Sequence, residues 1–126
     1  MRGTPRVGKY RPMRVMYLSD RLSARGGADR HLLAILAAQQ GGPGRSLLAV
    51  GFDDQSLPPG ERAQLPPWQR VKGLDRGGLA AAGGAAATKR LAQAVHDFRP
   101  HLIHLQNVMD PELIATAASL APTTSR

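Results

Sequence analysis

Between Ser19 and Leu36 the chain reads "SDRLSARGGADRHLLAIL", and the residues there that could do chemistry are two adjacent glycines, Gly26 and Gly27, with Arg25 and Arg30 on either side. Backbone N–H groups left bare by glycine at the positive end of a helix can hold an anion, and a flanking guanidinium adds charge-assisted hydrogen bonds. The same pair also suits a tight strand-to-helix turn, because glycine accepts backbone angles that other residues resist. The spacing matches neither the dinucleotide fingerprint nor a phosphate loop with its lysine, so both readings stand at this point.

A second group lies in "HLIHLQN", residues 101–107. His104 alternates with Ile103 in an apolar run, two residues before Gln106 and three before Asn107. It reads first as a core histidine with a hydrogen-bond partner. Its second reading, shared with Gln106 and Asn107, is as a residue lining a cleft at the end of a strand. His31 and His96 fall on helix surfaces. His101 and His104, three apart on a strand, point to opposite faces, and no histidines and carboxylates show metal spacing, so no metal is expected. Asp53 and Asp54 read as the opening of a loop rather than an acid/base pair. There is no nucleophile elbow, and no cysteine to supply a thiolate, a disulfide or a metal ligand. No catalytic residue is assigned.

The elements that must position these residues follow from the periodicity. "MRVMYLS" (13–19) is a short apolar run suited to a buried strand. From Ala28 the period changes: Leu32, Ile35 and Leu36 share one stripe, predicting a helix to about Gln40 that "GGPG" stops. "SLLAVGF" (46–52) is a second strand. "DDQSLPPGERAQLPPWQR" carries four prolines and reads as a long surface loop, followed by a brief strand near 70–73. After the low-complexity "GLAAAGGAAA", a helix from about Ala85 carries Leu91, Val95 and Phe98 and ends before Pro100. A third strand covers 101–107. Asp110 then caps a helix that begins at Pro111, has Glu112 in its first turn and runs to about Leu120.

Strands alternating with such helices predict an α/β fold: a Rossmann-like parallel sheet with flanking helices and right-handed crossovers. Ligands of such sheets sit beyond the carboxyl ends of the strands. Three stretches converge there, the turn over 19–27, the strand end over 52–54 and the segment over 106–110. The ordered domain is expected over 13–122. Residues 123–126 are read as a tail, falling where a further strand would begin, so the sheet is expected to be an incomplete half and the chain a fragment.

Composition narrows the classes. The 126 residues, 42% hydrophobic and 21% charged, suit one globular domain with a real core. The net charge of +8 invites a nucleic-acid reading, but Arg2, Arg6, Lys9, Arg11 and Arg14 crowd the first fourteen residues with Tyr10 as their one aromatic neighbour. That is the pattern of a disordered basic leader over 1–12, and it argues against nucleic acid as the partner. Met13, which opens the first strand, is an alternative start to Met1. No apolar run approaches the about 20 residues that span a bilayer, and no secretory signal follows the basic N-terminus, so the expected location is cytoplasmic.

Taken together, "MRVMYLSDRLSARGGADRHLLAILAAQ" and "DFRPHLIHLQNVMDPELIATAASLAP" resemble the N-terminal domain of family 4 glycosyltransferases, enzymes of the GT-B type with two Rossmann-like halves. The resemblance spans about 13–122. In that family the first strand leads into a loop ending in paired glycines and an acid, here Gly26, Gly27 and Asp29. "RPHLIHLQN" is similar to the family's strand with a histidine near its end, Gln106 standing where a second histidine is common. The resemblance implies transfer of a sugar from a nucleotide-sugar, a substrate rather than a cofactor, to a sugar or lipid-linked acceptor. Gly26, Gly27, Arg25 and Arg30 would then lie beside donor phosphate or acceptor. It also implies that most donor contacts and the catalytic residues belong to a C-terminal half missing from this chain, which alone should be inactive, and that any membrane association is peripheral. The alternative is a non-catalytic Rossmann-like binding or interaction module.

Overall fold

The computed structural model describes residues 13–39, 44–72, 74, 84–106, 108 and 111–125. The leader over 1–12, Asn107 and the Asp110 cap lie outside the described residues. Nine elements follow in order: β1 (Arg14–Leu22), α1 (Gly27–Gln39), β2 (Arg45–Asp53), α2 (Pro59–Arg62), β3 (Trp68–Arg70), α3 (Gly84–Phe98), β4 (Leu102–Gln106), α4 (Pro111–Leu120) and β5 (Thr123–Ser125). The strands form one sheet in the order β3-β2-β1-β4-β5. Every neighbouring pair is parallel, as crossovers through helices require. Rossmann-like winding is therefore present: the chain moves outward from β1 through β2 to β3, then returns across the sheet to β4 on the other side of β1.

Alternation along the strands divides the core into two layers. Met16 and Leu18 of β1, Ala49 of β2 and Ile103 and Leu105 of β4 pack with Leu91, Ala94 and Val95 of α3 and Leu113 and Ala117 of α4. On the opposite face Tyr17, Leu22, Leu48 and Val50 pack with Leu32 and Leu36 of α1 and with Leu57. The stripe read for α1 thus faces the sheet, and the central strands β1 and β2 are buried on both sides, as a parallel sheet demands.

Several elements differ from expectation. β1 runs on through the polar "SDRL" because Leu22 reaches the α1-side core. The proline-rich loop contains α2, with Pro59 at its first position after the extended Pro58, and the brief strand lies at Trp68–Arg70 rather than 70–73. The expected tail is also partly a strand. Thr123–Ser125 pairs with β4 from Ile103↔Thr123 to Leu105↔Ser125, completing backbone hydrogen bonds that β4 would otherwise leave open on that side. At the end of α3 the stop is sharp: Arg99 has φ 53°, a left-handed residue just past the helix, and Pro100 follows.

Candidate functional site

The strand order reverses between β1 and β4, and in open parallel sheets the ligand crevice lies at the carboxyl end of that reversal. The turn between β1 and α1 stands there, and its own Ser23 together with side chains of the loop after β2 holds its shape. The Ala24 N–H donates to Ser56 Oγ at 2.8 Å and the Arg25 N–H to Ser23 Oγ at 3.0 Å. Ser23 Oγ donates to Asp54 Oδ2 at 2.6 Å, and the Ser56 N–H to Asp54 Oδ1 at 2.9 Å. The Asp54 N–H returns to the Leu22 carbonyl at 3.1 Å. The turn is thereby stitched to the loop after β2. Asp53 and Asp54 accept hydrogen bonds from the chain two residues on, the signature of a loop opening.

The two glycines do different things. A Cβ on Gly26 would lie 2.9 Å from Asp29 Oδ2 and 3.4 Å from Arg21 Nη2, whereas one on Gly27 would meet nothing within 4 Å. Gly26 makes room for an ion pair inside the protein. Gly27 is exposed on the first turn of α1, whose N–H groups before the first intrahelical bond, from the Arg30 N–H to the Gly26 carbonyl, have no acceptor within the helix. Gly26 thus has a role inside the turn, and Gly27 leaves the first N–H groups of α1 uncovered.

The charges around it are paired. Arg21 meets Asp29 at 3.1 Å, Arg25 meets Asp54 at 3.6 Å, Arg30 meets Glu61 at 2.6 Å, and Arg62 grips Asp53 through two nitrogens at 2.9 and 3.0 Å. Hydrogen bonding to Arg62 holds the Asp53 carboxyl below its usual range, and Arg62 also lies over the Trp68 ring, 5.7 Å from its centroid. Asp29 is nearly fully buried and its carboxylate raises the Arg21 pKa, while burial pushes the Asp20 carboxyl up. Asp20 Oδ1 and Asp29 Oδ1 are buried with no hydrogen-bond partner. Arg30, grouped with the turn on sequence, instead helps line a groove of about 250 Å³ between α1 and the α2 segment, with Leu33, Glu61 and Leu65.

The Asp54 carboxyl is drawn from 3.8 down to about 2, chiefly by Ser23 and Ser56 and least by Arg25. Its proton binds less readily in the native chain than in the unfolded one. The resulting stabilisation is fully present above about pH 4 and is lost as pH falls toward 2. Asp54→Asn should therefore unfold at lower urea than the wild type at pH 6, and the gap should close between pH 4 and 2. A gap undiminished at pH 2 would refute this assignment.

His104 sits in mid-strand, level with Tyr17 and Thr124. It is half-buried, its ring centroid 5.6 Å from that of Tyr17 and its Nδ1 3.2 Å from Thr124 Oγ1, while Nε2 is buried without a partner. Gln106 is buried at the carboxyl end of β4 opposite Ser19, nearer the reversal point. Sequence reasoning missed Arg21, Ser23, Asp54 and Ser56 as the frame of the turn; the Asp-x-Ser spacing, an Asx-turn signature, was the available signal. Among the described residues no three His, Asp or Glu side chains gather where they could hold a metal ion, and no helix is long and apolar enough to cross a membrane. No protein-family model matches the sequence, and no curated protein matches it.

Proposed function

We propose that this chain is the acceptor-side, N-terminal half of a cytoplasmic glycosyltransferase that moves a sugar from a nucleotide-sugar to a sugar or lipid-linked acceptor. The observation that carries this reading is the exposed Gly27 turn at the positive end of α1, beside the reversal point of a parallel sheet. N–H groups there suit negative charge, which in sugar transfer builds on the departing diphosphate. Gly26, Gly27 and Arg25 would face that charge, and Gln106 would line the opposite wall. General acid or base groups and the donor's base and sugar contacts are assigned to a second half, and membrane contact, if the acceptor is a lipid, is peripheral.

The test is release of nucleoside diphosphate from UDP-glucose and GDP-mannose in the presence of a membrane-lipid extract. The 126-residue chain alone should show no turnover. The chain extended by its downstream coding sequence should, and Gly27→Asp in that longer protein should abolish it by placing a carboxylate against the diphosphate. Turnover by the short chain, or a natural stop at Arg126 with a stable product, would refute the proposal.

One observation favours a second reading, a non-catalytic binding or interaction module: Arg21, Arg25, Arg30 and Arg62 are already neutralised by carboxylates. Under that reading the longer protein releases no nucleoside diphosphate.

A further inference from the structure

Because every strand is parallel, all five begin at one end of the sheet, and charge is divided between the two ends. The four ion pairs of the described residues all stand at or just after the carboxyl ends of β1 and β2, with Asp20 beside them. The amino rim is the reverse. Arg14 opens β1, Arg45 opens β2, and the two are register partners, so they stand side by side on one face. Arg99, just before β4, joins them: Arg14 Nε donates to its carbonyl at 2.7 Å. That bond takes one of five guanidinium N–H groups, and none of the three arginines meets a carboxylate among the described residues. Asp97, in the last turn of α3, is the one acid at this rim among them, and it accepts from Gln93 at 2.9 Å. Four further cations, Arg2, Arg6, Lys9 and Arg11, precede β1 in the chain. Two exposed apolar side chains share the rim. Met13 is 47% exposed and its carbonyl accepts the Arg45 N–H at 2.9 Å; Leu120, 44% exposed, ends α4.

We propose that the amino rim is a docking surface for an anionic lipid bilayer, with Arg14, Arg45 and Arg99 on the headgroup phosphates and Met13 and Leu120 at the acyl boundary. Arginines held this close repel one another, and a layer of phosphates relieves that repulsion through charge-assisted hydrogen bonds. The apolar side chains decide which polyanion fits. Nucleic acid would meet the arginines but leave Met13 and Leu120 without a role, whereas a bilayer surface takes cation and apolar side chain together. This surface stands apart from the crevice at the carboxyl rim, because the nine residues of β1 separate the two ends by about 30 Å. Docking therefore leaves the crevice facing away from the bilayer, and it holds whether or not the chain belongs to a sugar transferase.

The experiment is co-sedimentation of the full chain with vesicles of mixed phosphatidylglycerol and phosphatidylcholine, beside vesicles of phosphatidylcholine alone, with binding to duplex DNA measured in parallel. The chain should sediment with the anionic vesicles and stay in solution with the neutral ones. Arg45→Gln and Arg99→Gly should each weaken vesicle binding about fivefold, and the double variant about 25-fold. Both substitutions suit the fold, since Arg45 is exposed and glycine readily accepts the φ of 53° held at Arg99. If Arg99→Gly nevertheless loses the thermal transition, Arg45→Gln alone decides. Leu120→Ser should weaken vesicle binding about threefold and leave DNA binding unchanged. No sedimentation with anionic vesicles overturns the proposal. So does a double variant that binds them as the wild type does, because the cations of residues 1–12 would then act without the rim. A Leu120→Ser variant that binds vesicles and DNA as the wild type does marks the rim as a surface for any polyanion, and overturns the bilayer assignment.

Discussion

Leu18→Ala should lower the stability of the domain by about 2–5 kcal/mol, the usual cost of emptying a fully buried aliphatic site. Leu18 has no exposed surface and sits in β1, the middle strand of five, on the face covered by α3 and α4. Both neighbouring strands are held in register along its length, Ala49 on one side and Leu105 on the other, so the backbone cannot collapse into the gap. Small domains have a total stability of about 5–15 kcal/mol, so the loss is a large share of the whole. In urea the midpoint should fall with the slope unchanged, the mark of lost stability rather than altered compactness. Ile114→Ala, on the outer side of α4 where Ile114 is 37% exposed, serves as the control and should shift stability by less than about 1 kcal/mol. If Leu18→Ala were no worse than Ile114→Ala, the division of the sheet into two faces would be wrong.

That division was legible in the sequence because it is written in local periodicity. The apolar runs of β1, β2 and β4 and the stripe Leu32, Ile35 and Leu36 report burial directly, and a parallel sheet follows from their alternation with helices. Where burial is absent the sequence is silent. All three residues of β3 are exposed, so nothing in "WQR" alternates; its place is set by pairing with Leu48, Ala49 and Val50, a long-range event. β5 is similar: "TTS" carries no apolar signal and exists as a strand because β4 offers it an edge. α2 had a local mark in "PPGER", proline at the first helical position, obscured by the prolines around it.

The site divides along the same line. The glycine pair and its place at a strand-to-helix turn are local, and the sequence carries them plainly. Which arginine is held by which acid is not local: Arg30 finds Glu61 31 residues away, and Ser23 finds Asp54 at the same separation. Arg25 and Arg30 therefore looked equivalent beside Gly26 and Gly27, and only the folded chain separates a loosely held arginine from one engaged beside the α1–α2 groove.

The two glycines are separated by one further expected result. Gly26→Ala should destabilise the domain by about 1–3 kcal/mol, because the new methyl would lie 2.9 Å from Asp29 Oδ2 and 3.4 Å from Arg21 Nη2. The group that must yield is a carboxylate with 1% of its side chain exposed and fastened to Arg21 at 3.1 Å, not the free end of a flexible chain. Moving it breaks the pair or tilts the first turn of α1. Gly27→Ala meets nothing within 4 Å and replaces glycine by the best helix former inside α1, so it should be neutral or stabilise by up to about 1 kcal/mol. Binding should rank the two differently. Gly27→Ala puts a methyl on the open side of the helix N-terminus and should weaken pyrophosphate binding at that turn while the fold stays intact. Thermal melts and amide-resolved titration of the same two variants therefore separate the glycine that shapes the bend from the glycine that leaves room for a ligand. Equal destabilisation by both, with no effect of Gly27→Ala on binding, would mean that the pair serves the turn alone.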